Sequence, residues 1–385
     1  MDLEMLILMG LVLVALATAT GVCAVLRFAG GASVDPALLD RFSSRLRAWW
    51  LLFAALAGAF LLGKTATVVL FGLLSFWALR EFITVTPTRL SDHRALFWVF
   101  FVFLPLQYVL VGLGLYDFYL TLIPVYALLL VPARVALCGD ATRFLERTAK
   151  IQAGLLLCVY CLSFAPAILS LRWDQPPQLA EPSVPRPSLE ELVFRVPEKG
   201  SDATPAWRPL TEVPPSDQTL LAGATQARSS FGSVAQRASA VPAFMAADME
   251  RARLLFFLVV LVQLSDVLQY AFSRLLRGHL VAPSIHPSRT WEGFAAGTAC
   301  VVVIGTGLWF ATPFPQWWQA AAAALAIACM AFAGAMTMSA IKRDRSVRDY
   351  GVLLEGHGGV LDRLDSLCFS APVYFHICRY FLGVN

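Results

Sequence analysis

Charge is what this sequence has least of. Asp, Glu, Lys and Arg make up 15% of its 385 residues, while 58% are hydrophobic. Soluble domains are nearer a quarter charged and half apolar. The length alone would suggest two or three soluble domains. So little charge excludes them and predicts an all-α polytopic membrane protein. The net charge of +4 gives no case for nucleic acid as a partner.

Other features are missing too. No Ser-His-Asp or Cys-His set is evident, which argues against a covalent hydrolase. No internal repeat is evident, so the paired inverted halves of many transporters lack support. The eight cysteines fall mostly inside apolar runs. Cys158 and Cys161 form a CxxC within GLLLCVYCLSF, which reads as helix packing rather than metal or redox chemistry. A cleavable leader is not expected: the MDLE start is acidic and the first apolar run is long enough to stay as a span.

What is present is a series of apolar runs near 4–27, 49–63, 65–82, 95–114, 118–137, 152–171, 253–273, 293–313, 317–339 and 366–384. At ~20 residues per span they predict about ten helices. The second and third are separated only by Gly63 and Lys64, so a tight hairpin or a re-entrant pair, and a count of nine, is the alternative. Basic residues follow every odd-numbered run. They include Arg41 and Arg45, Arg80 and Arg89, Arg143 and Arg147, Arg274 and Arg289, and Lys342 and Arg343. The intervening short loops have almost none. The positive-inside rule then puts those ends in the cytoplasm and the N-terminus outside.

Residues 173–251 break this pattern. They are rich in Pro, Ser, Ala and Gln and predict an irregular outer-side insert, with a short element near Leu189–Val196. The expected organisation is therefore 1–172 (about six spans), 173–251 (the insert) and 252–385 (a C-terminal membrane region).

Against this apolar background, two segments concentrate charge. The first is SDVLQYAFSRLLRGHLVAPSIHPSRTWEG, Ser265–Gly293. Asp266 sits inside an apolar run, where a carboxylate costs a few kcal/mol unless paired or wet. A helix–helix hydrogen bond and a ligand to a cation are both open. Ser288 and Thr290 beside Arg289 suit phosphate oxygens, and Ser288 is also a candidate cap for the next helix. Trp291 reads as an interfacial anchor.

The second segment is SAIKRDRSVRDYGVLLEGHGGVLDRLD, Ser339–Asp365. Lys342 and Arg343 alone would pass for a positive-inside anchor. Arg348, Asp349, Gly356, His357, Gly358, Gly359, Asp362, Arg363 and Asp365 follow. Glycines let backbone amides approach phosphate and form anion nests. Asp362 and Asp365 are three apart and share a helix face, which suits a hard cation such as Mg²⁺. Lys and Arg supply phosphate contacts. Asp365 is also a candidate N-cap of the last helix. His357 has three open roles: a structural hydrogen bond, a phosphate contact or a proton shuttle.

This second segment resembles the signature of the membrane phosphatidate cytidylyltransferases (CDP-diacylglycerol synthases). The spacing is kept at Ser339, Lys342, Arg343, Asp349, Gly351, Leu354, Gly356, His357, Gly358, Gly359, Asp362, Arg363 and Asp365. The first segment is similar to a second family pattern at Asp266, Pro287, Thr290, Glu292 and Gly293. Arg348 and Arg289 stand where the family has Lys, His286 where it has Ser, and Glu355 where it has Pro. The resemblance is strong over about 253–385. Before that it is general, and includes Leu79-Arg80-Glu81-Phe82.

The resemblance implies transfer of CMP from CTP to phosphatidic acid; the Ala/Leu/Val-rich composition suits a bacterial inner membrane, and the loop charges put both segments on its cytoplasmic face. The resemblance also implies membrane lipid as surroundings and a homodimer. The expected catalytic residues are Lys342, Arg343, Arg348, Asp349 and His357. Ser288, Arg289, Thr290, Glu292, Gly356, Gly358, Gly359 and Arg363 would bind substrate. Asp266, Asp349, Asp362 and Asp365 would hold Mg²⁺ or another divalent cation, with a second metal ion as an option. Three alternatives stay open: another lipid phosphate as acceptor, an anion transporter, and an inactive relative that serves as an interaction protein.

Overall fold

The computed structural model describes residues 3–28, 62–86, 88–171, 243–276, 278–351 and 359–383, with scattered positions between 43 and 59. The expected second span is described only at scattered positions, and the Leu189–Val196 element and nearly all of the 173–251 insert lie outside the described residues. The chain divides into two units, Met1–Trp173 with Asp248–Asn385, and Asp174–Ala247.

The helices that build the first unit are α1 Leu3–Phe28, α2 Lys64–Val85, α3 His93–Leu113, α4 Tyr116–Ala136, α5 Phe144–Ser170, α6 Ala243–Leu276, α7 Trp291–Gly307, α8 Trp317–Asp344 and α9 Leu361–Phe381. Among the described residues, six are long and apolar enough to cross a membrane: α2, α3, α4, α5, α6 (over Glu250–Leu276) and α8. This is an all-α polytopic membrane protein. Three expected spans, α1, α7 and α9, are not among the six. α7 ends at Gly307, after 17 residues, because Trp309–Ala311 forms a 3₁₀ turn. α9 opens with Asp362, Arg363 and Asp365, which lower the hydropathy of its first turns.

A short antiparallel hairpin was not expected. β1 Leu280–Ala282 pairs with β2 His286–Thr290 and connects α6 to α7. The extended chain ends at Thr290, whose hydroxyl accepts a hydrogen bond from Gly293 N at 3.1 Å. Thr290, and not Ser288, is thus the N-cap of α7.

α9 is the hub of the bundle. It packs against α8 along its length and also touches α5 and α2. α8 approaches so closely that a Cβ at Gly334 would lie 2.7 Å from the Asp365 carbonyl. α7 approaches α6 in the same way, with Gly297 against the Gln269 backbone, also 2.7 Å from an added Cβ. These crossings bring Asp266, Arg289 and Asp365 to one end of four helices. Some buried polar side chains bond across helices. Gln107 donates to Tyr119 O and Ser163 Oγ, both at 3.0 Å, and Ser75 donates to Cys158 O. Cys158 is buried in α5, in agreement with the packing expectation.

Candidate active site

Asp266 lies ten residues before the end of α6, about 15 Å inside at 1.5 Å per residue. A carboxylate at that depth needs partners. The hairpin supplies one. It returns the chain so that Arg289, at the end of β2, points back along α6. Arg289 Nη2 donates to Asp266 Oδ1 at 3.3 Å and Nη1 to Gln269 Oε1 at 2.9 Å. The Gln269 amide is held by Ser265 Oγ at 2.9 Å and Ala328 O at 3.2 Å. The Arg289 side chain is 8% exposed and Asp266 28% exposed. Arg289 Nε is buried and has no acceptor among the described residues.

α9 brings the second carboxylate. Asp365 Oδ1 accepts from Ser366 N at 2.7 Å and from Ser366 Oγ at 3.3 Å. Asp266 lies within electrostatic range of Asp365 and Arg363, and within hydrogen-bonding reach of Ser366. Asp365 falls inside α9 and does not cap it.

One turn earlier on α9, Asp362 has partners of its own. Its Oδ1 accepts from Lys342 Nζ at 2.9 Å, and its Oδ2 from Tyr350 N and Gly359 N, each at 2.9 Å. Lys342 also lies over the Tyr350 ring, 5.5 Å from its centroid. Arg343 Nε donates to Ile285 O at 3.3 Å, tying the hairpin turn to the end of α8.

His286 reports the local field. Burial, then the charges of Arg289, Lys342 and Arg343, push its imidazole down to about 4. Three cations from two segments thus surround one point on the hairpin. Ser288 Oγ is 3.2 Å from His286 Nδ1. Arg289 and Lys342 are each paired with a carboxylate, Asp266 and Asp362, so the cluster carries both signs of charge.

The other expected residues separate. Arg348 and Asp349 are exposed. Glu292 pairs with His279 at 2.7 Å, away from Asp266, and this carboxylate raises the His279 pKa. Gly356, His357 and Gly358, with Glu355, lie outside the described residues. Sequence reasoning missed Gln269, which orients Arg289, and Glu81. The Glu81 carboxylate accepts from Val360 N at 2.9 Å and Leu361 N at 2.8 Å. In the sequence Glu81 stands only within Leu79-Arg80-Glu81-Phe82, near the end of an apolar run, and no role follows from that.

Whether a divalent cation fits can be judged from the donors. Among the described residues, no three His, Cys, Asp or Glu side chains gather as a metal cage. Mg²⁺ rarely needs one; one or two carboxylates plus phosphate oxygens and water suffice. Asp266 and Asp365 are the two carboxylates that would meet that need, Asp266 being paired with Arg289 as well. Asp362 is engaged by three donors already.

Fold and site define a helical membrane protein with a cluster of charged side chains drawn from α6, the hairpin, α8 and α9. The profile of the cytidylyltransferase family matches residues 43–381, and the chain belongs to that family. It is similar over 340 residues, at 28% identity, to the uncharacterized protein YnbB of Escherichia coli (strain K12), with 87% of each chain covered. It is 37% identical to the phosphatidate cytidylyltransferase of Mycobacterium leprae (strain TN) over 122 residues, which is 31% of this chain and 38% of that one. A phosphatidate cytidylyltransferase of Brucella abortus biovar 1 (strain 9-941) is 34% identical over 119 residues, 31% of this chain and 44% of its own. The chain thus spans well under half the length of these named enzymes.

Proposed function

We propose that this cytidylyltransferase uses CTP and phosphatidic acid, releasing pyrophosphate and forming CDP-diacylglycerol for phospholipid synthesis. The observation that carries the reading is the pairing of Asp266 and Asp365 beside Arg289, with Lys342 and His286 adjacent. A lipid phosphate oxygen attacks the α-phosphorus of CTP. The new P–O bond forms as the bond to the β-phosphate oxygen breaks, and pyrophosphate leaves with that electron pair. The nucleophile is already an anion, so no strong base is needed. The obstacle is repulsion between anions, and charge that grows on the leaving oxygen.

This chain's residues address both. Arg289 and Lys342 are pre-positioned by Gln269, Asp266 and Asp362, and their charge would neutralise phosphate oxygens. Arg343 adds a third cation, and Arg348, Asp349, Ser288 and Arg363 would add contacts to the bound substrates. Asp266 and Asp365 would hold Mg²⁺ or another divalent cation, which supplies charge neutralisation at the phosphates. CTP is cytosolic and the lipid phosphate sits at the head-group plane. We therefore assign the site to the cytoplasmic side of a bacterial inner membrane, with the N-terminus outside and a homodimer as the working assembly.

The test follows labelled CTP into CDP-lipid and pyrophosphate with detergent-purified protein, phosphatidic acid and Mg²⁺, beside Asp365→Asn. Product in the wild type and its loss in the variant support the reading; a folded wild type that makes none overturns it. Another lipid phosphate is the second acceptor to test, because the named phosphatidate cytidylyltransferases match over 31% of this chain. Competition between phosphatidic acid and an isoprenoid phosphate separates the two.

A further inference from the structure

We propose that Glu81 is a positioning residue for this site. Its carboxylate takes the amides at the start of α9 that an incoming phosphate would otherwise bind, and so fixes the turn from which Asp362 and Asp365 project. The catalytic half of this role rests on the cytidylyltransferase reading.

Three consecutive amides open α9. Gly359 N donates to Asp362, while Val360 N and Leu361 N donate to Glu81. The start of a helix carries about half a positive charge and attracts anions. Here two of the protein's own carboxylates fill it. Glu81 is only 6% exposed, and a carboxylate so enclosed is tolerable because these donors compensate it.

The glycines on either side are shaped to it. A Cβ at Gly359 would lie 2.2 Å from Glu81 Oε2, and one at Gly351 would lie 2.6 Å from Oε1. Gly359 is thus required by the carboxylate from α2, whereas the sequence had suggested a phosphate nest. The next residue of α2 reinforces the joint. Phe82 stacks on Tyr350 with centroids 6.3 Å apart, and Tyr350 Oη donates to Met338 O at 2.9 Å. α2, the 345–351 turn, α8 and α9 are fastened at one point. Phosphate is left to the cationic side chains: Lys342, Arg289 and Arg343.

The test uses the full chain with Glu81→Ala, Glu81→Gln and Glu81→Asp. Amide hydrogen exchange over 359–364 is read beside kcat and KM for CTP. Glu81→Ala should speed exchange at Val360 and Leu361 about tenfold or more, leaving α5 unchanged. It should lower kcat roughly 10- to 100-fold, since small misplacement of reacting groups is costly. KM for CTP should stay within about threefold, because the cations remain. Glu81→Gln keeps an acceptor and should recover part of kcat. If Glu81→Ala does not fold, Gly359→Ala decides the matter. Shortening the acid relieves its clash, so Glu81→Asp should raise the thermal stability of Gly359→Ala protein while lowering that of the wild type. Unchanged exchange, faster exchange with unchanged kcat, or strictly additive effects in that pair would overturn the proposal. A wild type that transfers no CMP sinks the cytidylyltransferase reading; exchange and the double variant still judge the clamp.

Discussion

Two buried arginines in this protein sit in opposite circumstances. Arg147, near the start of α5, has acceptors on every nitrogen. Its Nε and Nη2 reach Asp92, Nη2 reaches Ser91 Oγ, and Nη1 reaches the carbonyls of Asp140 and Thr142. Its partner Asp92 is fully buried. Arg289 is nearly as enclosed, yet it has one bond to Asp266, one to Gln269 and an Nε without an acceptor among the described residues. A satisfied ion-pair network rigidifies, whereas an incomplete one keeps its field available. Burial and charge are shared by the two arginines; bonding capacity left over is not.

The contrast is broken most sharply by exchanging the readouts. Asp365→Asn and Asp266→Asn should reduce CMP transfer at least ~10²-fold, the usual scale for loss of electrostatic stabilisation. Asp365→Asn should leave thermal unfolding within about 1 kcal/mol, while Asp266→Asn also removes a partner of buried Arg289 and should cost more. Arg147→Ala should do the reverse. Removing one partner of a buried pair costs about 3–5 kcal/mol, while the protein that remains folded should keep its kcat. Denaturation in detergent with parallel activity assays checks both. If Arg147→Ala were stable and inactive, the division between the arginines would fail.

Next in size is Arg289→Lys. Lysine keeps the charge but cannot bridge Asp266 and Gln269 with a planar fork. Activity should fall about tenfold, with a larger effect on kcat than on KM, as expected for a misoriented group. A full return of activity in that variant would mean that charge alone matters.

His286 gives a smaller, pH-dependent effect. Its folded pKa of about 4 lies below the ordinary ~6.5. Between those values the unfolded chain holds the extra proton, so stability rises with pH and is lost as pH falls from about 6.5 toward 4. His286→Asn should flatten that slope. Phosphate bound among the three cations should raise the imidazole pKa, which ring NMR shifts can follow. At the small end, the Glu146–Lys150 pair is one helical turn apart and partly exposed. Lys150→Ala should change stability by no more than ~0.5 kcal/mol.

The sequence made the C-terminal site legible where charge stood against an apolar background. Asp266, Arg289, Lys342, Asp362 and Asp365 all carry that signal, and α6, α8 and α9 sit close to their expected runs. Distant pairings left no such trace. Nothing near Asp362 indicates that it is spent on Lys342 and two amides. Nothing near Glu81 indicates partners 279 and 280 residues away. The hairpin was missed because strands of three and five residues are too short to show a period. Ser288 and Thr290 both qualify as caps by composition, and only the end of β2 decides between them.

The Glu81 clamp also has a consequence for biogenesis. α2 leaves the ribosome and enters the bilayer some 280 residues before the amides of Val360 and Leu361 are made. Until then its carboxylate waits in the membrane without its partners. A chain released early carries the first half of the bundle but cannot close the joint, while a fragment starting at α6 carries the whole signature but not the acid that seats it. Formation of this joint is thereby coupled to the synthesis of α9, and a chain that ends before α9 lacks it.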